Sequence, residues 1–260
     1  MDLGLKGKVA AITGGSEGVG YGTALVLARE GARVSICARR KDVLEAAAER
    51  IRAETGGEVL AVQADVTRAE DCERFIRQTV ERFGRLDILV NNAGRAAGAH
   101  FEKVTDDAWA EDLDLKVFAA IRCSRAAIPY MRAQGGGRIV NITHPGGKTP
   151  GAGSLPSSLS RAAGIALTKA MSKDLAPDGI LVNTVCLSNI RTAQNERSWR
   201  ASGSPLSLDE YCAEQGRRVP VGRLGDPTEV GDLIAFLVSE RAAFITGTAI
   251  NIDGGASSAV

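Results

Sequence analysis

Short runs of apolar residues alternate along this chain with longer segments of amphipathic or alanine-rich pattern. The apolar runs fall at Val9–Thr13, Arg33–Ala38, Val59–Ala64, Leu86–Val90, Arg138–Thr143, Ile180–Val185 and Thr248–Ile252. The segments between them have the pattern of helices, and they include Gly20–Glu30, Lys41–Glu54, Arg68–Phe83, Asp106–Met131 and Ser157–Leu175. Strands of a parallel sheet are short and apolar throughout because helices cover both faces of the sheet. The pattern therefore predicts an α/β fold, with a doubly wound, parallel, seven-stranded sheet and helices on both faces.

These strands and their crossovers use nearly all of the 260 residues, so we expect a single domain over residues 1–260. The one irregular stretch, at about residues 188–215, follows the sixth predicted strand and contains the turn Ser202-Gly203-Ser204-Pro205. Ligands of such sheets bind outside the carboxyl ends of the strands. We expect this stretch to be a mobile lid over the ligand crevice, with a plain surface insertion as the alternative.

Composition narrows the class of partner. The formal net charge is +1, which does not suggest a nucleic acid or an anionic membrane as the partner. The chain has no apolar run of the roughly 20 residues that span a bilayer, and its first residues lack a signal-peptide pattern. Its five scattered cysteines and two histidines have no metal-ligand spacing. We expect a cytoplasmic, reduced protein without a metal site.

A glycine cluster follows the first predicted strand and leads into a helix. Its sequence is Thr13-Gly14-Gly15-Ser16-Glu17-Gly18-Val19-Gly20. Glycines at such a turn bring the backbone close to a pyrophosphate, and the helix N-terminus supplies N–H donors and the positive end of a dipole. The cluster therefore predicts a Rossmann-type dinucleotide site. Its expected cofactor-binding residues are Gly14, Ser16, Glu17, Gly18, Val19 and Gly20.

The spacing Gly-x-x-x-Gly-x-Gly resembles that of the short-chain dehydrogenase/reductases, and the resemblance runs from about Leu5 to Gly255. The further motifs that match, in the expected order, are Asp65-Val66, Asn91-Asn92-Ala93-Gly94, Ile190-Arg191-Thr192 and Asp253-Gly254-Gly255. The resemblance implies that Asp65 and Val66 contact adenine and that Thr192 holds the nicotinamide carboxamide. By the same resemblance, further cofactor-binding residues are Asn92, Ala93, Gly94, Arg161 and Ile190.

The end of the second predicted strand favours NADP(H) over NAD(H). NAD sites place an acid there for the ribose 2′-hydroxyl, whereas NADP sites offer a cation to the 2′-phosphate. Here Ala38 stands at the acidic position, and Arg39 and Arg40 follow it. A guanidinium can bind a phosphate through two hydrogen bonds. Glu17 points weakly the other way, and the alternative is that the arginines are solvated charges at a helix start.

The resemblance breaks down at the catalytic positions, where the family uses Asn, Ser, Tyr and Lys. Aligned with those four positions, this chain has Asp114, His144, Ser157 and Arg161. Arg161 can still bind ribose hydroxyls, but an always-protonated guanidinium cannot relay protons. Ser157 is a much weaker acid than tyrosine, and Asp114 is a candidate proton carrier or partner of a cation. His144 titrates near neutrality and could protonate a carbonyl oxygen, unless it is only a polar residue at a strand end.

Two functions are compatible with these residues. The first is a divergent oxidoreductase that transfers hydride between NADP(H) and a small carbonyl, imine or alkene substrate, with a non-standard proton donor. The second is a protein that binds the nicotinamide dinucleotide without redox turnover, as a sensor, partner subunit or non-redox catalyst. Thr192 favours the first, and the loss of Tyr and Lys together favours the second. The resemblance further implies a homodimer or homotetramer.

Overall fold

The structure, a computed structural model, describes residues 2–260. Its strands are β1 (Val9–Thr13), β2 (Arg33–Ala38), β3 (Val59–Gln63), β4 (Ile88–Asn91), β5 (Gly98–Ala99), β6 (Gly137–Thr143), β7 (Leu155–Pro156), β8 (Ile180–Leu187) and β9 (Ala249–Ile252). Among the described residues, seven strands form one parallel sheet in the order β3-β2-β1-β4-β6-β8-β9. The predicted α/β fold is confirmed. β5 and β7 form a separate antiparallel pair that the sequence did not predict.

The helices are α1 (Gly18–Arg29), α2 (Lys41–Thr55), α3 (Ala69–Phe83), α4 (Asp106–Leu113), α5 (Ala119–Ala133), α6 (Ser157–Leu175), α7 (Ala193–Ser202), α8 (Leu208–Gly216) and α9 (Pro227–Val238). Single 3₁₀ turns lie at Phe101–Lys103, Pro145–Gly147, Ala176–Asp178 and Glu240–Ala242. Within residues 2–260, no helix has the length and apolar character needed to cross a membrane.

Two apolar layers sandwich the sheet, because successive side chains of a strand point to opposite faces. Ile12 of β1 packs into the layer that α1, α2 and α9 cover, with Leu27 as a fully buried member. The neighbouring Ala11 faces the other layer, which α3 and α5 cover with Phe75 and Met131. The apolar runs of the sequence therefore correspond to strands that are covered by helices on both faces of the sheet.

The long helix predicted at Asp106–Met131 is interrupted. It consists of α4, a π-helical turn at Asp114–Phe118, and α5. A π turn inserts an extra residue into the helical repeat, so side chains after it face other directions than a regular helix would give them. This change of register determines which side chain of the segment reaches the site described below.

The stretch at residues 188–215, expected to be irregular, forms α7 and α8. Each helix begins with a capping box, formed by Thr192 with Asn195 and by Ser207 with Glu210. The reciprocal bonds of such a box satisfy N–H groups that a helix start leaves without partners, which stabilises short helices. The stretch is thus two short helices above the carboxyl end of β8.

Candidate active site

The carboxyl ends of β1 and β4 are joined by side-chain hydrogen bonds. Asn92 donates from Nδ2 to the carbonyl oxygen of Thr13 at 2.9 Å and to that of Gly14 at 3.2 Å. The hydroxyl of Thr13 accepts from the backbone N–H groups of Asn92 and Ala93, both at 3.0 Å. These bonds hold the glycine loop against the start of the loop after β4, at the point where the strand order of the sheet reverses.

The glycine loop leaves backbone open for a phosphate. Gly14 and Gly18 have φ angles of 66° and 55°, which favour glycine. A Cβ at Gly20 would lie 2.2 Å from the carbonyl oxygen of Gly14, so only glycine fits there. Within the described residues no side chain caps the start of α1, since Glu17 makes no such bond. The N–H groups of this helix start remain available, and the loop therefore fits a pyrophosphate.

Several other expected cofactor residues lie around this loop. The Thr192 side chain is in van der Waals range of Gly18, since a Cβ there would lie 3.4 Å from the threonine methyl group. Ile190 is buried, as are Ser16 and Val19 of the loop. The chain after β8 thus returns to the glycine loop, and the role of Thr192 at the nicotinamide carboxamide stays a prediction.

Arg39 and Arg40 follow β2 and make different contacts. Arg40 forms an ion pair with Glu17, which places a cation beside the one acidic residue of the glycine loop. The guanidinium of Arg39 is exposed and has no ion-pair partner in residues 2–260. At the end of β3, the carboxylate of Asp65 accepts two hydrogen bonds from Thr67. The next residue, Val66, is buried and accepts a hydrogen bond from a cysteine thiol through its carbonyl oxygen.

Lys116 is the centre of a buried polar cluster beside Gly94, which follows β4. Only 1% of its side chain is exposed. Its Nζ donates to a carboxylate oxygen of Asp112 and, over 2.6 Å, to Oγ of Ser157. The other oxygen of Asp112 accepts from Oγ of Ser160 at 2.6 Å. The cluster therefore joins α4 and the π turn to the first residues of α6.

The environment of Lys116 makes its ammonium group a stronger acid than usual. Burial lowers the pKa of Lys116 to about 8, the charges of Arg161 and Arg95 act in the same direction, and Asp112 opposes them. Lys116 is thus charged at neutral pH, yet it can lose its proton with little cost. A group with such a pKa suits general acid catalysis.

Ser157 connects this ammonium group to the half-buried face of the cluster. Its Oγ accepts from Lys116 and also from the backbone N–H of Ala97, at 3.0 Å. A hydroxyl oxygen has two lone pairs and one proton, so both acceptor positions are used. The proton of Ser157 is left to donate to a third group.

Arg161 lies against the same glycine. Its Nη1 donates to the carbonyl oxygen of Ile142 at 2.7 Å, and its Nη2 would lie 3.0 Å from a Cβ at Gly94. Burial lowers the pKa of Arg161 to about 10, while Asp112 acts in the opposite direction. The guanidinium stays charged at neutral pH and can only donate hydrogen bonds.

His144 follows β6, and its ring orientation is determined by a backbone contact. Its Nδ1 accepts from the N–H of Gly146 at 2.8 Å, so the proton of the neutral imidazole lies on Nε2. Burial lowers the pKa of His144, and the positive charges of Arg161 and Lys116 act in the same direction. The negative charge of Asp253 acts in the opposite direction. His144 is therefore a neutral donor at pH 7, although one side of the ring is open to solvent.

The structure does not bring Asp114 into this cluster. Its carboxylate pairs with Arg122 at 2.7 Å. Alignment of Asp112-Leu113-Asp114-Leu115-Lys116 with the family had given Asp114 the position of the catalytic asparagine. With the π turn at Asp114–Phe118, the side chain that reaches Ser157 is that of Lys116.

Sequence reasoning missed Lys116, Asp112 and Ser160. One signal for the first two was present, because an aspartate and a lysine four residues apart on a helix can pair. A second signal was the apolar sequence Leu115-Lys116-Val117-Phe118, which predicts burial of the lysine rather than a solvated charge. Nothing local pointed to Ser160.

Comparison with known proteins identifies the family of this chain. The profile of the family described as enoyl-(acyl carrier protein) reductase matches residues 14–257. A 3-oxoacyl-[acyl-carrier-protein] reductase from Synechocystis sp. is 35% identical over 253 residues, covering 96% of this chain and 97% of that protein. The chain belongs to the short-chain dehydrogenase/reductase family.

Two solved structures are similar to this short-chain dehydrogenase/reductase over nearly its whole length. The L-sorbose reductase of Gluconobacter frateurii, complexed with NADPH and L-sorbose, is 32% identical with a TM-score of 0.95, and the match covers 100% of both chains. An NADPH-bound short-chain oxidoreductase of Pseudomonas aeruginosa PAO1, described as containing an atypical catalytic center, is 33% identical with a TM-score of 0.90. That match covers 97% of this chain and 98% of the other.

Proposed function

We propose that this protein is an NADP(H)-dependent reductase of small carbonyl compounds, in which Lys116 supplies the proton through Ser157. The observation that carries the proposal is the contact of 2.6 Å between a buried ammonium group and a hydroxyl that retains a free proton. Imines and activated alkenes are further substrates of the same chemistry, because each accepts a hydride and then a proton.

The choice of NADP(H) rests on charge at the end of β2. The exposed guanidinium of Arg39 is without an ion-pair partner in residues 2–260, and Ala38 leaves no carboxylate to repel a phosphate. The pairing of Glu17 with Arg40 neutralises the one acid of the glycine loop. The L-sorbose reductase and the Pseudomonas oxidoreductase are both NADPH complexes, which supports the same choice.

NADPH, when bound, supplies the hydride. The residues of this chain then manage the negative charge and the proton. Ser157 donates its proton to the substrate oxygen, and the Nζ of Lys116 replaces it over the 2.6 Å contact. The pKa of Lys116, lowered by burial to about 8, makes this donation favourable near neutral pH.

His144 and Arg161 have supporting roles in this proposal. The Nε2–H of a neutral His144 donates a hydrogen bond to the substrate carbonyl oxygen and so orients it. Arg161, fixed by the carbonyl oxygen of Ile142, presents its remaining N–H groups to ribose hydroxyls. Thr192 and the start of α1 hold the rest of the dinucleotide.

The test compares NADPH oxidation by the wild type and by Lys116→Gln, with a panel of small ketones and aldehydes. Glutamine can still donate hydrogen bonds to Asp112 and Ser157, but it has no transferable proton. We expect kcat to fall at least ~100-fold, the lower range for loss of a general acid, while the Kd for NADPH changes less than about threefold. Lys169→Gln, on the outer part of α6, is the matched control and should retain full activity.

Full activity of Lys116→Gln would refute the proton donor. NADPH binding by the wild type with no turnover of any ketone, aldehyde, imine or enone would instead support a binding protein without redox chemistry. Circular dichroism and thermal melting of both variants establish that a loss of activity is not a loss of fold.

A further inference from the structure

Asp112 is held by hydrogen bonds on both oxygens of its carboxylate. One oxygen accepts from Lys116, and the other accepts from Ser160 at 2.6 Å. The residue is only 4% exposed, so water does not compete for these bonds. Because the π turn and α6 each supply one donor, the carboxylate cannot turn away from Lys116 without breaking the contact with Ser160.

The other charged groups around Lys116 are positive or already paired. Arg161 reaches it from α6, and Arg95 from the loop after β4. Arg95 pairs with Glu111 at 2.8 Å, and both of these side chains are exposed. His144, which follows β6, is within range of the Lys116 charge, and the carboxylate of Asp253 acts on His144 in turn. Within residues 2–260, Asp112 is thus the one carboxylate bonded to the Lys116 ammonium group.

We propose that Asp112 is a positioning residue that keeps Lys116 protonated and aimed at Ser157, an inference that rests on the function proposed above. A buried ammonium group between two guanidinium groups would otherwise be neutral or would turn away. The carboxylate of Asp112 stabilises the charged form of Lys116. The hydrogen bond from Ser160 fixes the orientation of that carboxylate. Asp112 itself makes no contact with substrate in this arrangement.

The proposal makes a specific prediction for Asp112→Asn. Loss of the negative charge removes the contact that raises the pKa of Lys116, so that pKa falls further. For a reduction that needs protonated Lys116, the alkaline limb of kcat/KM against pH should move down by at least about one pH unit, with kcat at pH 8 at least about fivefold lower. The KM for the ketone should stay within about threefold, because Asp112 does not touch it.

Asp114→Asn is the matched control. It removes the same charge from the same helical segment, two residues away, but Asp114 pairs with Arg122 and not with Lys116. Its pH profile should coincide with that of the wild type. A readout independent of turnover is the NMR titration of ¹³C-labelled lysine in nucleotide-free protein, in which the Lys116 resonance should titrate at least about one unit lower in Asp112→Asn.

Should Asp112→Asn fail to fold, Ser160→Ala replaces it. That variant frees one oxygen of the carboxylate, weakens its hold on Lys116 and should shift the limb in the same direction by a smaller amount. An unchanged limb and an unchanged Lys116 titration in the folded variants would overturn the role of Asp112. That result is distinct from failure of the proposed function. Full activity of the Lys116→Gln variant would reveal such a failure.

Discussion

Lys116 carries a charge in surroundings that disfavour it, and this conflict gives the residue its chemistry. A solvated lysine has a pKa of about 10.4 and hardly ever gives up its proton at neutral pH. Burial in the cluster lowers the pKa of Lys116 to about 8, whereas Asp112 prevents complete loss of the charge. Tyrosine reaches a useful acidity from a high pKa with the help of a neighbouring cation. In the mechanism proposed above, a cation itself is the acid, and a serine hydroxyl extends its reach.

The pH dependence of reduction follows from the sign of this shift. In the proposed mechanism protonated Lys116 is the active form, which is present below the pKa of Lys116 and lost as the pH rises through that pKa. We therefore expect kcat/KM for reduction to fall above a pH of about 8. Measurement from pH 6 to 10 with NADPH checks this limb. The residual kcat/KM of Lys116→Gln should not fall in this way at alkaline pH. If it does fall, the titrating group is not Lys116.

At the scale of elements, buried polar bonds connect strands and a helix behind the site. Asn91 donates from Nδ2 to Oδ1 of Asn141 at 2.9 Å, and Asn141 donates from Nδ2 to Oγ1 of Thr168 at 2.9 Å. Thr168 in turn lies 2.8 Å from Oγ1 of Thr184. The chain of bonds crosses from β4 through β6 and α6 to β8. It holds α6, which carries Ser157 and Arg161, in place on the sheet.

Asn141→Ala should destabilise the protein through these elements. The substitution leaves one N–H of Asn91 and one lone pair of Thr168 unpaired in the interior, although Asn91 still donates to Ser124 and Thr168 still bonds Gly164 and Thr184. A buried polar group with an unsatisfied position costs about 1–3 kcal/mol. We expect the free energy of unfolding in urea to fall by about 2–4 kcal/mol. The exposed Gln63→Ala at the end of β3 is the control, and it should stay within about 0.5 kcal/mol of the wild type. A similar loss in both variants would contradict the role of the buried network.

At the scale of the whole molecule, cofactor binding should stabilise the fold. The dinucleotide site joins the ends of β1, β2 and β4 with the chain after β8, so a ligand there binds only the folded state. At 100 times its Kd, NADPH adds about 2.7 kcal/mol of stability. For a chain of 260 residues we expect the Tm to rise by about 5–10 °C.

Arg39→Ala should reduce this rise for NADPH and leave the response to NADH unchanged, because only NADPH carries the 2′-phosphate. The control is Arg77→Ala, which replaces an exposed arginine on α3 that pairs with Glu81 one turn further along the same helix. Thermal melting at matched concentrations of each nucleotide provides the comparison. Equal losses for NADPH and NADH would assign Arg39 a general role rather than selection of the phosphate.

The sequence by itself determined the sheet and located the glycine loop between β1 and α1. β1 and β2 have the bounds that their apolar runs predicted, and α6 has the bounds predicted at Ser157–Leu175. The glycine loop could be recognised because tight turns and close approach of backbone need glycine at particular spacings. These signals are local: a period of two or 3.6 residues, or a spacing of a few positions, is visible within one short window of the chain.

Only the tertiary structure decided which side chain lies beside Ser157. The contact between Lys116 and Ser157 joins residues 41 positions apart, and it depends on a π turn that no local pattern predicted. The same turn separates Asp114 from the site and directs it to Arg122. The acidity of Lys116 likewise arises from burial and from the charge of Arg161, with Asp112 acting in the opposite direction, and neighbouring elements bring these groups together. Because burial and charge act through space, the order of residues indicates the candidates but not their chemistry.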